Sequence, residues 1–154
     1  MTDTAGKQTA LIAMSGGVDS SVAAALMKQR GCDCIGVTMK LRSNSDCGCT
    51  EKSCCTADDA EDARSAAYSM GMKFYVFNFV QEFEHEVIDR FVSAYEQGMT
   101  PNPCIDCNRY MKFQLLYERG RTLGCDYIVT GHYARTEYLE DCGRWVLKKA
   151  VNTA

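Results

Sequence analysis

A short apolar run over residues 9–14 opens directly into Ser15-Gly16-Gly17-Val18-Asp19-Ser20-Ser21. From Ser20 to Arg30, Val22, Leu26 and several alanines then fall at helical spacing, until Gly31 interrupts them. Strand, glycine turn and helix in immediate succession leave few folds open, because this is the first half of a crossover unit. The alternation continues. Residues 34–39 and the aromatic-rich 74–79 read as strands, as do 126–130. Between them lie a helix with a narrow face of Ala60, Ala63 and Ala67, and one striped with Phe83, Val87, Ile88, Phe91, Val92 and Tyr95. A fourth helix, from about Asn108 to Thr122, turns Met111, Leu115 and Leu116 inward. Thr56 and Asp59 resemble a capping box for the Ala-faced helix, which Gly71 ends. Residues 136–139 and 145–149 flank Asp141-Cys142-Gly143 and predict a hairpin.

A βαβαβαβ order with crossover helices implies a parallel α/β sheet covered on both faces. Ligands of such sheets sit beyond the carboxyl ends of the strands. Ser15 to Ser20, the loop after Met39 and Gly131-His132 all fall at that edge. The loop at 101–107 follows no strand but is long enough to reach it. At 154 residues the chain makes one domain, read as a flexible leader over 1–8 and an ATP-binding domain over 9–154. It ends just after a strand with no helix to cover the edge, which predicts a fragment lacking further domains. No window of 18 apolar residues exists and the first residues lack the apolar centre of a secretory signal, so no membrane is expected and a cytoplasmic protein is.

The formal net charge of −3 argues against a strong general grip on nucleic acid by this piece alone. Basic residues gather in one place: Arg109, Lys112, Arg119 and Arg121 lie between Pro101 and Arg121. Any polyanion contact belongs there, unless these residues form only a solvated helix face. His85 sits on a polar helix face and is expected in solvent. His132 follows Gly131 at a strand end, where it can orient a loop, touch a ligand or move a proton.

Backbone N–H groups of the glycine turn and of the first helical turn can converge on a phosphate, with Ser15, Ser20 and Ser21 adding hydroxyls. Asp19 would repel phosphate unless a Mg²⁺ lay between them. No lysine precedes the serines, so this is not a Walker A loop. The stretch resembles the pyrophosphate loop shared by adenylating amidotransferases, argininosuccinate synthetases and tRNA-modifying enzymes. The resemblance implies cleavage of ATP between its α and β phosphates.

Ten cysteines are present. Without an export signal, reduced thiols are the expectation. Cys32, Cys34 and Cys125 lie in or beside apolar runs and read as core or strand-edge residues. Cys104 and Cys107 form a C-x-x-C within Thr100-Pro101-Asn102-Pro103-Cys104-Ile105-Asp106-Cys107-Asn108. Two prolines stiffen this loop, and a thiol at a helix start near Arg109 and Lys112 would suit a nucleophile or sulfur carrier. A zinc or iron–sulfur site would need further ligands, for which Cys47, Cys49, Cys54 and Cys55 are the candidates.

These stretches, with Gly36 to Lys40, Lys112-Phe113 and Thr130-Gly131-His132-Tyr133-Ala134-Arg135, resemble the N-terminal domain of the tRNA-specific 2-thiouridylase family along almost the whole chain. The resemblance implies a three-layer adenine nucleotide alpha hydrolase-like (pyrophosphate-loop) domain with a C-terminal hairpin. It implies ATP-dependent 2-thiolation of the wobble uridine of tRNA, with ATP and Mg²⁺ as cofactors. The sulfur would come from a donor protein, a cysteine desulfurase or a relay carrier. Ala13, Met14, Ser15, Gly16, Gly17, Val18, Asp19 and Ser20 would bind ATP phosphates, with Asp19 holding the metal. Met39 and Gly131 would touch the nucleoside. Asn102, Pro103 and Cys104 would lie against the target uridine. Cys107 matches the family's first catalytic cysteine, which pairs in a disulfide with a persulfide-carrying cysteine expected downstream. One departure stands out: many members carry Asp where this chain has Cys104. Cys104 then acts either as a catalytic proton handler or, with Cys107, as a ligand of a [4Fe-4S] cluster. The open alternatives are therefore a cluster-dependent tRNA thiolase and a nucleotide- or zinc-binding module without turnover.

Overall fold

The first apolar run forms β1 (Thr9–Ala13), which in the computed structural model is an inner strand of a four-stranded parallel sheet. Residues 6–43 and 57–151 are described; the 44–56 stretch, with Cys47, Cys49, Cys54, Cys55 and the Thr56 cap, lies outside them, as do residues 1–5 of the leader. The other strands are β2 (Asp33–Lys40), β3 (Lys73–Asn78) and β4 (Tyr127–Val129), in the order β3-β2-β1-β4. Leu11 pairs in register with Ile35 on β2 and Ile128 on β4.

Side chains of β1 alternate between two cores, as a strand's period of two requires. Ala10 and Ile12 point to α1 (Val18–Gln29) and α2 (Ala57–Ser69), where Ala24, Ala63 and Ala67 are wholly buried. Leu11 points to α3 (residues 80–96) and α4 (residues 103–122), where Phe79, Val87, Met111 and Leu116 close around it. Full burial of each large apolar side chain contributes about 1.5–3 kcal/mol. Three layers, helices over both faces of a parallel sheet, follow directly from the sequence alternation.

The expected apolar faces of two helices shift. On α1, Val22 and Leu26 are half exposed while Ser20 and Ala24 face inward, because small residues let the helix lie close to the sheet. On α3, Val87 is fully buried but Val92 and Tyr95 are exposed. The cause is a π-helical stretch, Glu84–Ile88, between α-helical Val80–Phe83 and Asp89–Glu96. Wider turns change the phase of a stripe read at 3.6 residues per turn. The hairpin is present as β5 (Ala134–Leu139) and β6 (Arg144–Lys149), antiparallel, closed by a 3₁₀ turn and Gly143 at φ +61°.

Candidate active site

The chain leaves β1 for β2 on one side, and later returns to place β4 on the other side of β1. This reversal opens a crevice beyond the carboxyl ends of β1 and β4. A cavity of about 710 Å³ lies there, within the range of ligand pockets. Its walls come from three places: the turn after β1, the Thr130-Gly131-His132 stretch after β4, and the start of α4.

The turn after β1 is braced from within. Met14 N–H donates to the Val37 carbonyl at 2.8 Å, and the buried Thr38 hydroxyl donates to the Met14 carbonyl at 2.7 Å. The Ser20 hydroxyl accepts from Ser15 N–H at 3.3 Å and donates to the Gly17 carbonyl at 3.1 Å, where Ser21 also donates. Of the three hydroxyls expected to serve phosphate, two therefore hold the turn itself. Gly17 is the N-cap of α1 at φ −80°, a conformation open to any residue. Gly16 alone needs glycine's freedom: it sits at φ +75°, and a Cβ there would lie 2.6 Å from the Asp59 carbonyl oxygen at the start of α2. Gly131 lies against the first turn of α1, where a Cβ would be 3.0 Å from Ser20 N. A side chain at 131 would fill the approach to the amides of that turn, so its absence fits a ligand drawn to a helix N-terminus.

α4 begins earlier than expected. Asn102 caps it, its side-chain oxygen accepting from Cys104 N–H at 3.0 Å, and Pro103 takes the first turn, where a missing N–H costs nothing. Cys104, not Cys107, thus occupies the free-amide end of the helix, and Cys107 opens a π-helical stretch, Cys107–Leu115, before α-helical Leu116–Thr122. The expected 101–107 loop is mostly helix, because cap and proline together outweigh its loop composition. Cys104 and Cys107 are unbridged and both line the cavity. Burial pushes the thiols of Cys34 and Cys125 up from their ordinary value, which keeps these two as inert structural thiols.

At the rim, His132 Nδ1 lies 2.8 Å from the Thr130 hydroxyl, and the ring packs on Phe113 at 5.5 Å between centroids. Desolvation, and next the Lys112 charge, hold its pKa below the usual histidine value, so the imidazole is neutral near pH 7. The Tyr133 hydroxyl donates to Asp19 Oδ1 at 2.6 Å, a bond that raises the phenol's pKa. His85 lies in solvent beside Asp89, as expected.

The structure gathers Ala13, Met14, Ser15, Asp19, Ser20 and Met39 on one cavity together with Cys104, Cys107 and Gly131. Gly16, Gly17, Val18, Asn102 and Pro103 are not among the lining residues. Sequence reasoning missed Asp59, Asn108 and Thr130 as lining residues, and gave Lys112 only a general charge. Asp59 belongs to a different crossover, and only the close approach of Gly16 to it reveals the neighbourhood. Asp19 and Asp59 fit a Mg²⁺ shared with substrate phosphates, which needs only one or two carboxylates. Among the described residues no group of three or more His, Cys, Asp or Glu side chains is set to hold a metal on its own. For a cluster, Cys104 and Cys107 supply two thiols on the cavity, and the other candidate ligands lie outside the described residues.

Comparison with known proteins agrees with this arrangement. The chain is 53% identical over 141 residues to a tRNA-specific 2-thiouridylase of Clostridioides difficile (strain 630), covering 92% of this chain and 39% of that protein. It is 49% identical over 152 residues to that of Geotalea uraniireducens (strain Rf4), covering 96% of this chain and 40% of that protein. The chain thus spans about two fifths of the length of these relatives. In fold alone it resembles the glutamine-dependent NAD⁺ synthetase of Acinetobacter baumannii in complex with ADP, with a TM-score of 0.50 and 18% identity over 79% of this chain and 21% of that one. The fold is the HUP, adenine nucleotide alpha hydrolase-like architecture anticipated above. A match over residues 8–154, nearly every described residue, shows where it belongs: the chain is a member of the tRNA methyl transferase HUP domain family, among relatives that carry the name tRNA-specific 2-thiouridylase.

Proposed function

We propose that this chain is the ATP-activating part of a longer cytoplasmic enzyme that replaces the C2 oxygen of a tRNA wobble uridine with sulfur. One observation carries the reading: residues of the glycine turn and two thiols, far apart in sequence, line the same cavity at the sheet's switch point. The turn and the start of α1 would hold the outer phosphates of ATP, with Asp19 sharing a Mg²⁺ with them. Mg²⁺, when bound, screens phosphate charge and steadies the leaving pyrophosphate. The uridine, unstacked from its loop, would enter beside Cys104, with Asn102 and Pro103 shaping the helix start behind it. Its O2 attacks the α-phosphorus as the bond to pyrophosphate breaks. Sulfur from a persulfide cysteine, loaded by a cysteine desulfurase or relay carrier, then attacks C2, and AMP departs with the C–O electrons. Cys107 attacks the cysteine-side sulfur of the Cys–S–S–C2 adduct, so that a disulfide between the two cysteines forms as the S–S bond to the thiouridine breaks, or it attacks the persulfide beforehand and frees sulfide to add to C2. The segment alone would not complete this reaction, since the persulfide cysteine is expected beyond residue 154.

A second reading is favoured by the shared position of Cys104 and Cys107 on the cavity: the two would serve as ligands of a [4Fe-4S] cluster in a cluster-dependent thiolase, rather than carry sulfur themselves. Iron and acid-labile sulfide measured in anaerobically isolated full-length protein separate the two. Full activity without iron excludes the cluster.

The test of the main reading is thiouridine formation by full-length protein supplied with tRNA, a sulfur donor and α-³²P-labelled ATP. Labelled AMP should appear with thiouridine, and Cys107→Ser should lower the yield at least 100-fold, the scale of losing a nucleophile. Labelled ADP in place of AMP would refute it.

A further inference from the structure

The reading above gives no task to a cation that lines the same cavity. Lys112 lies on α4 four residues after Asn108 and five after Cys107, and all three line the cavity. Among the described lining residues it is the only lysine or arginine, set against two acids, Asp19 and Asp59. Three other lysines have partners, Lys7 at Asp33, Lys28 at the Met70 carbonyl and Lys148 at Glu137, and none of these lines the cavity. The Lys112 side chain makes no hydrogen bond or ion pair with any described residue. Its backbone is anchored, because Met111 beside it and Leu116 one turn on are wholly buried. Its charge is felt in the cavity, where it helps to keep the His132 ring neutral. An ammonium on the wall of a cavity gains a charge-assisted hydrogen bond when an anion enters it.

The position selects the anion. The glycine turn lies on the β1 side and takes the outer phosphates, while the thiols on α4 mark where sulfur arrives. The group between them is the α-phosphoryl. We propose that Lys112 is a further catalytic residue, whose ammonium binds a non-bridging oxygen of the α-phosphoryl group and holds its charge until AMP leaves. This deepens the function proposed above and rests on it. Lysine stays protonated throughout: the O2–P bond forms as pyrophosphate leaves with its electron pair, then the C2–S bond forms as AMP leaves with its own. Lys112 moves no proton and only stabilises charge at the reacting phosphorus.

The experiment measures tRNA-dependent pyrophosphate release by full-length protein, with ATP and with each diastereomer of its α-phosphorothioate. Lys112→Gln should lower kcat on the order of 100-fold, leave the Kd for tRNA within about twofold, and retain its melting temperature. Lys112→Arg should recover at least tenfold of that loss. Wild type should be slowed by sulfur at one non-bridging position, and Lys112→Gln should lose that preference. An unchanged kcat, or a thio preference that survives the substitution, overturns the proposal. So does a loss confined to tRNA binding, which would make Lys112 an RNA-backbone contact. If Lys112→Gln does not fold, the thio preference of the arginine variant decides: it must be altered. A wild-type protein that releases no pyrophosphate with tRNA would instead remove the underlying function.

Discussion

Gly16 and Gly17 are neighbours with different obligations. Gly16 is left-handed at φ +75° and abuts the backbone of Asp59, so neither its conformation nor its space suits a side chain. Gly17 has an ordinary extended conformation, and a Cβ there would meet only the Ser15 hydroxyl at 3.5 Å. Gly16→Ala should therefore destabilise the protein by about 1–3 kcal/mol, read as a lowered urea midpoint. Gly17→Ala should stay within about 0.5 kcal/mol of wild type in the same titration. Any loss of nucleotide affinity in the second variant then reports crowding of the ligand rather than damage to the fold. Equal destabilisation by the two would mean that the turn geometry described here is wrong. Sequence alone treats the glycines alike, because the contact that separates them comes from α2, some forty residues away.

At the scale of elements, the start of α4 depends on one side chain. Asn102 satisfies the Cys104 amide and fixes where the helix begins, hence where Cys104 meets the cavity. Asn102→Ala should cost about 1 kcal/mol of stability, while Asn102→Asp should cost little. Thermal melts of the two variants test this, and equal losses would argue against a capping role. The strands, the crossover order and the hairpin were legible in the sequence because apolar runs and glycine breaks mark them locally. So was the site, since the turn after β1, Met39 and Gly131 each sit at a strand's carboxyl end. The π-helical stretches were not legible. A hydrophobic stripe is read against a fixed period, and Glu84–Ile88 and Cys107–Leu115 wind more slowly than that period assumes. The same slow winding hid the true inward face of α3, whereas Cys107 lies one turn inside α4 because Asn102 and Pro103 start the helix earlier than its loop-like composition suggests.

For the whole molecule, stability resides in the two cores on either face of the sheet, and the hairpin stands apart from both. Its Trp145, the only tryptophan in the chain, is 69% exposed and packs edge-on against Tyr138 at 5.5 Å. Phe79, in contrast, is buried in the core beneath α3. Phe79→Ala should cost about 3–5 kcal/mol and Trp145→Ala less than about 1 kcal/mol, followed by far-ultraviolet circular dichroism in urea. Native tryptophan emission should already resemble that of a solvated indole and change little as the sheet unfolds. A strongly blue-shifted native emission would place the hairpin against some other part of the protein. The three-layer plan also governs the reach between the two halves of the candidate site. The glycine turn is fixed to the sheet through Met14 and Thr38, whereas the thiols ride on a helix in the next layer, propped off β1 by Met111 and Leu116. Those two apolar side chains act as shims. Trimming either would lower one jaw of the crevice toward the other and misalign the reacting atoms, although neither residue would ever meet the substrate.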